Sequence, residues 1–394
     1  KAQVKAAKPP KQPRGQGGAG AEPRGQKGKG EGAKAGGRAG PRANNIDLFA
    51  HLDQHSAFGS EQLLAGLQEE LHPAVLRLGQ EYASGGVVGG SARCVAMLSV
   101  FRQVIRDYVT PEGKQFTRDL LKVLQKSITF LNSCRPISVS MGNAIRYLKK
   151  EIAECSPELE DEELREELIS VIDKFVHDKY VDAHKVMSEY AVSKIADGDT
   201  VLTFGFSNVV FRVLTRAFKL GKKFTVVVVD CRPQHEGRTM LRRLLKAGIA
   251  CTFANISATA HMVQRAQKVF LGAASVCANG TVISRAGTAT VAMLAHASEV
   301  PVMVCCETQK FTERVQLDSI TSNELGDPQG LAKAPGGTGL ADLSPSPRTG
   351  LQVLNLMYDA MPAEYVTMIV TEVGMIPSSS VPVILREYSQ EALI

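Results

Sequence analysis

Nowhere in the 394 residues do the roughly 18 to 20 consecutive apolar residues occur that a helix needs to cross a bilayer. The basic first segment also lacks the apolar core of a signal peptide. A chain that stays in the cytosol and meets no membrane is expected. The eight cysteines form no CxxC pair, and most sit in apolar runs where a thiol packs as a small hydrophobe, which fits a reducing compartment and excludes a disulfide framework. The eight histidines make no HExxH or similar ligand spacing, so no metal is expected. GxGxxG and the Walker pattern are missing as well, and no cofactor is expected.

The net positive charge belongs to the first segment. Residues 1–42 hold 11 Lys and Arg against 2 Glu, so of the chain's net +6 the remaining residues carry about −3. Residues 1–44 contain no aromatic residue and a single Val, too little apolar surface to offset the entropy of ordering. A basic disordered tail is expected over 1–44. It raises RNA binding as one reading, against the plainer one of a solubilising tail.

With 44% hydrophobic content the rest is long enough for two domains. Over 45–196 the apolar residues recur at helical spacing, as in Met97, Phe101, Ile105 and Leu120, Leu124, Ile128, Leu131. Breaks at His72-Pro73, Ser84-Gly85-Gly86, Thr110-Pro111, Arg135-Pro136 and Ser156-Pro157 predict short helices and then a long one from about Pro157 to Ile195. Seven acids within Glu158–Glu167 suit that helix's N-terminus; a contact for a basic partner is the alternative.

Over 197–394 β-branched runs alternate with helical stretches. Strands are predicted at Thr200–Phe204, Phe224–Asp230, Ile249–Phe253, Val269–Ala273 and Pro301–Cys305. Helices are predicted near Asn208–Leu220, Arg238–Ala247, Ala260–Lys268 and Thr288–Ser298. A Gly/Pro/Ser-rich flexible insertion at about 326–350 precedes a strand at Gln352–Tyr358 and a helix at Ala363–Val370. The expected fold is α/β: an N-terminal all-helical domain followed by a Rossmann-like domain with a mostly parallel sheet.

Ligands of such sheets bind beyond the strands' carboxyl ends. Three segments fall there: Gly205-Phe206-Ser207-Asn208, whose amides suit a phosphate; Asp230-Cys231-Arg232-Pro233 with Glu236-Gly237-Arg238; and Gly272 through Thr281, with a tight turn at Asn279-Gly280. Arg232 and Arg238 suit a sugar phosphate, or equally a structural pairing with Asp or Glu.

The strings "VVVVDCRPQHEGRTMLRRLLKAGI", "ANGTVISRAGTATVAMLAH" and "PVMVCCETQKFTERVQLDSITSNELGDP" resemble the family formed by sugar-phosphate isomerases and the alpha, beta and delta subunits of eukaryotic translation initiation factor 2B. The strings "RCVAMLSVFRQVIRDY", "NSCRPISVSMGNAIRYLKKEI", "SNELGDP" and "TEVGMIPSSSVPVILR" are similar to the delta subunits within it. The resemblance spans roughly Ile46 to Arg386. It implies a non-catalytic regulatory subunit of the guanine-nucleotide exchange factor for initiation factor 2. Such a subunit assembles with alpha, beta, gamma and epsilon subunits, binds the substrate's alpha subunit and couples its stress-induced phosphorylation to inhibition of exchange.

The isomerase relatives use a cysteine and an aspartate where this chain has Gly205 and Thr281, and Ala274 replaces a further acid. No catalytic residue is therefore expected, only a vestigial anion pocket around Ser207, Arg232, Arg238 and Asn279. A rival reading is an active sugar-phosphate isomerase or nucleotide-binding enzyme. The resemblance also implies a drug-sized pocket at a subunit interface, matching Leu76, Arg77, Leu78, Ile320, Leu354 and Leu356. Their plain alternative is ordinary core.

Overall fold

Residues 46–52, 71–156, 159–332 and 351–391 are described by a computed structural model, within one compact unit, Arg42–Ile394. The expected tail at 1–44 and most of the expected insertion, 333–350, lie outside the described residues.

Proline and glycine set the helix boundaries where the sequence places them. Helix α1 (Pro73–Ser84) starts on a proline, whose missing N–H would be unpaired there anyway, and His72 Nδ1 accepts from Ala74 N at 3.1 Å. It ends at Gly85, whose φ of +75° closes the last turn in the left-handed region. Helices α2 (Gly90–Asp107), α3 (Phe116–Cys134) and α4 (Val139–Glu154) follow. The predicted stripe is the core: Met97, Phe101, Ile105, Leu120, Leu124 and Leu131 are at most 1% exposed.

The predicted long helix is α5 (Asp161–Val176), a π-helical stretch at His177–Asp182 and α6 (Ala183–Val192). A capping box between Glu160 and Glu163 opens α5, so its acids meet the positive end of the helix dipole. Helix α6 packs downstream: Met187, Ala191 and Val192 share a core with Val201, Val210 and Val213.

The α/β part runs β1 (Thr200–Phe204), α7 (Asn208–Lys219), β2 (Thr225–Asp230), α8 (Gly237–Lys246), β3 (Cys251–Asn255), α9 (Thr259–Val263) and β4 (Lys268–Gly272). There follow β5 (Ser275–Cys277), β6 (Val282–Arg285), α10 (Thr288–Ala297), β7 (Val302–Cys305), β8 (Phe311–Thr312) and α11 (Gln329–Ala332). The chain closes with β9 (Tyr358–Met361), β10 (Met368–Thr371), β11 (Gly374–Ile376) and α12 (Val381–Glu391). Seven strands form one sheet in the order β11-β10-β7-β4-β1-β2-β3, parallel except where β11 joins β10. The fold is thus α/β, helical first and mostly parallel-stranded after.

Three expectations are corrected. Gln352–Tyr358 is not a strand: apart from one antiparallel bridge, Leu325 to Leu356, regular pairing begins only at Tyr358. Ala363–Val370 is not a helix but a 3₁₀ turn at Ala363–Tyr365 followed by β10. The β-branched pair Ile369 and Val370 lies beside Val304 and Cys305 of β7, and that pairing overrides helical spacing. The helix near Ala260–Lys268 stops at Val263, and Lys268 already opens β4. A second sheet, β8-β5-β6-β9, was not anticipated; its β5–β6 hairpin turns at Asn279-Gly280, with Gly280 at φ +80°.

Candidate functional site

Strand order reverses between β1 and β4: β2 and β3 extend the sheet on one side of β1, β7 and β10 on the other side of β4. Loops leaving neighbouring strands at such a point diverge to opposite faces and leave a crevice. A cleft of about 150 Å³ opens there, lined by Phe206 and Ser207 after β1, Ala273 and Ala274 after β4, and Glu307 and Lys310 after β7. Gly89 and Gly90 at the start of α2, His184 of α6, and Arg285 and Tyr358 complete the wall. Ser207 caps α7 by accepting from Val210 N at 3.5 Å. A Cβ on Gly272 would stand 2.5 Å from Ser207 Oγ, so glycine there is what lets the two loops touch.

Glu307 is fully buried on the cleft floor and is held from three sides. Lys310 Nζ lies 2.7 Å from Oε2; His184 Nε2 at 2.6 Å and Ser91 Oγ at 3.1 Å share Oε1. Burial alone would raise the Glu307 pKa, but Lys310 and His184 outweigh it and keep the carboxyl well below the usual carboxylate range. Burial likewise opposes the Lys310 ammonium, yet Glu307 holds its pKa above the ordinary lysine value. Lys310 also donates to Ala273 O at 3.1 Å. Arg285 is clamped by Glu236 at 3.1 and 2.6 Å and lies over the Tyr358 ring at 5.2 Å. The charges in the cleft are thus neutralised in pairs.

Of the expected anion set only Ser207 lines this cleft. Arg232 and Arg238 are exposed, and Arg232 donates to Leu331 O at 3.3 Å. Asn279 is exposed and donates to Gln316 O at 3.0 Å. The arginine paired with an acid at this turn is Arg285, from β6, not Arg238. Gly205 sits at φ +61° just before Phe206. Thr281 is buried in the β5–β6 hairpin and is not among the lining residues, whereas Ala274 is.

Sequence reasoning missed Glu307, Lys310, His184 and Arg285. The legible signal was an acid directly after the apolar run Val302–Cys306, just past a strand's carboxyl end.

The other residues singled out lie elsewhere. Leu76 and Leu78 belong to the helical core, Leu78 at 6% exposure, and Arg77 points to solvent. Ile320 is half-buried in the loop before α11; its carbonyl accepts from His51 Nε2 at 2.9 Å. Leu354 and Leu356 are half-buried between buried Val353 and Asn355. Among the described residues one group has metal-ligand spacing, His177, Asp178 and Asp182; its histidine and Asp178 and Asp182 side chains are more than half exposed and stand outside the cleft. No described helix is long and apolar enough to cross a membrane.

The family described as the initiation factor 2 subunit family matches residues 86–378. Over 353 residues, 88% of this chain and 74% of the relative, the sequence is 41% identical to translation initiation factor eIF2B subunit delta of Schizosaccharomyces pombe. It is 32% identical over 273 residues, 69% of this chain and 82% of the relative, to ribose 1,5-bisphosphate isomerase of Pyrococcus furiosus. A chain of the tetrameric eIF2B-beta2-delta2 complex from C. thermophilum matches with a TM-score of 0.71 and 32% identity, covering 83% of this chain and 97% of that one. The sheet with its reversal cleft and the sequence agreement together make this chain a member of the initiation factor 2 subunit family.

Proposed function

We propose that the chain is the delta-type regulatory subunit of the guanine-nucleotide exchange factor for initiation factor 2, acting in the cytosol by binding and coupling and not by covalent chemistry. One observation carries the non-catalytic part. Glu307, the carboxylate on the cleft floor, is neutralised by Lys310 and hydrogen-bonded by His184, while Gly205 and Ala274 stand where the resemblance implies a thiol and an acid. A proton shuttle needs a group poised near the working pH and free to reach substrate, and Glu307 is neither.

The partners in this reading are the alpha, beta, gamma and epsilon subunits and the substrate's alpha subunit, whose phosphorylation turns substrate into inhibitor. In this reading the half-buried Leu354 and Leu356, with Ile320, form part of the contact with the beta subunit. The 41% identity to a delta subunit supports this assignment. The test is reconstitution: the purified chain is mixed with the other four subunits, complexes are resolved by size exclusion, and GDP release from initiation factor 2 is timed. Stable incorporation and slowed release with phosphorylated substrate are expected. Turnover of ribose 1,5-bisphosphate by the chain alone would revive the isomerase reading.

A further inference from the structure

After Arg42 one segment stands out for its net positive charge. Residues 208–246 hold ten Lys and Arg against two acids, a net +8, whereas the other residues after Arg42 total −11. Both acids are turned inward: Asp230 is 4% exposed and accepts from Gly237 N at 3.0 Å, and Glu236 is taken by Arg285. Helices α7 and α8, which pack on each other, contain no Asp or Glu at all. Arg212 and Lys219 on α7, and Arg242, Arg243 and Lys246 on α8, are exposed, and none meets a carboxylate within ion-pair distance among the described residues. Arg243 instead lies over the Phe206 ring at 4.8 Å.

The same face carries apolar side chains in the open. Phe218 is 40% exposed, Leu220 64% and Leu245 54%. A hollow of about 590 Å³ beside them is lined by Phe218, Lys222, Lys223, Gly248 and Asp199, whose carboxylate Lys268 already holds, and a second of about 300 Å³ by Lys185, Arg212 and Lys219. Five like charges with no carboxylate partner among the described residues cost the fold self-repulsion.

We infer that the α7–α8 face is a docking surface for an acidic amphipathic protein segment, whose carboxylates pair with these cations and whose apolar residues cover Phe218, Leu220 and Leu245. The exposed leucines and phenylalanine decide between polyanions. A single-stranded nucleic acid could stack a base on Phe218 but carries no aliphatic groups for Leu220 and Leu245, whereas the apolar residues of an amphipathic protein segment cover all three.

The test uses the full chain and a fluorescent 20-residue helix of alternating Glu and Leu turns as probe. Anisotropy titrations are run beside a version with every Leu replaced by Ser and a 20-nucleotide poly-U RNA. Parent chain should bind the Glu/Leu helix at least tenfold more tightly than either control, with affinity falling as salt rises. The variant R242E/R243E/K246E should lose at least tenfold, with a melt lowered by loss of the Arg243–Phe206 contact and by acids in the last turn of α8. Arg242→Glu and Leu245→Ser, at exposed positions, should each lose several-fold with unchanged thermal melts. Tighter binding of RNA, equal binding of the Ser version, or sedimentation showing that R242E/R243E/K246E only abolishes self-association would each overturn the inference.

Discussion

His184 and Glu307 meet at 2.6 Å across the seam between the last N-terminal helix and the turn that follows β7, and neither is more than 5% exposed. The imidazole N–H donates to a carboxylate that Lys310 already balances, and Ser91 from α2 joins the same oxygen. Helical and α/β parts are therefore tied through one buried charge. Removing a single member of such a cluster strands the others without compensation.

Glu307→Gln should for this reason cost about 3–5 kcal/mol of unfolding free energy, because Lys310 would remain charged and buried without a counter-ion. Chemical denaturation of the purified variant measures it. A loss below about 1 kcal/mol would mean that Lys310 sheds its proton or finds water, and that the cluster does not join the two parts.

Asp359 behaves in the opposite sense. Its carboxylate accepts from Gly287 N at 2.7 Å and Ala289 N at 2.9 Å at the start of α10, yet burial dominates and raises its pKa to about 6. An acid whose folded pKa lies above its unfolded value binds its proton preferentially in the fold. Its contribution to stability therefore grows as pH falls from about 6 to about 4 and is lost as pH rises through 6, with a ceiling of about 3 kcal/mol. Asp359→Asn keeps an acceptor for the helix amides and removes the titration. The parent should gain stability relative to this variant between pH 6 and pH 4, measured by urea midpoints. Parallel profiles would show that Asp359 titrates normally.

Much of the fold was legible because local chemistry and global packing agree. Pro73 and Gly85 bound α1 as read, and the stripe from Met97 to Leu131 is the helical core. What failed was the stretch from Gln352 to Val370. There Ile369 and Val370 sit at spacings that suit helix or strand, and only their pairing with β7, some 65 residues upstream, decides. The cleft was half legible: the segments after β1 and β4 were singled out from strand ends, and Ser207 and Ala274 of those segments line it. Arg232 and Arg238 were misassigned to it because a turn that carries arginines gives no sign of where they point. Arg285 comes from a small sheet whose strands are only two to four residues long, too short to leave a period.

Restoring the isomerase pair should not restore the reaction. Gly205→Cys would put a side chain at φ +61°, strained by about 1 kcal/mol, and Thr281→Asp would place a carboxylate in the buried hairpin, outside the cleft lining. The double variant is expected to give no ketose from ribose 1,5-bisphosphate above background in a coupled assay. Measurable product would show that residues 275–281 can rearrange into the cleft.

Leu354 and Leu356 offer the sharpest test of assembly because the monomer barely depends on them. The stretch around them is secured by its backbone and by the alternate side chains: Gly326 N donates to Asn355 O at 2.8 Å, Met357 N to Glu324 O at 3.0 Å, and Asn355 Nδ2 to Asp327 O at 2.8 Å. Val353 and Asn355 point inward while the two leucines remain half-buried. Leu354→Asp or Leu356→Asp should therefore leave the melting temperature of the isolated chain nearly unchanged. At a desolvated subunit contact the same carboxylate would be buried without a partner, a cost of several kcal/mol. Size exclusion should then show the variants failing to enter the reconstituted complex, with nucleotide release slowed accordingly. Normal incorporation of both variants would place the contact elsewhere on the chain.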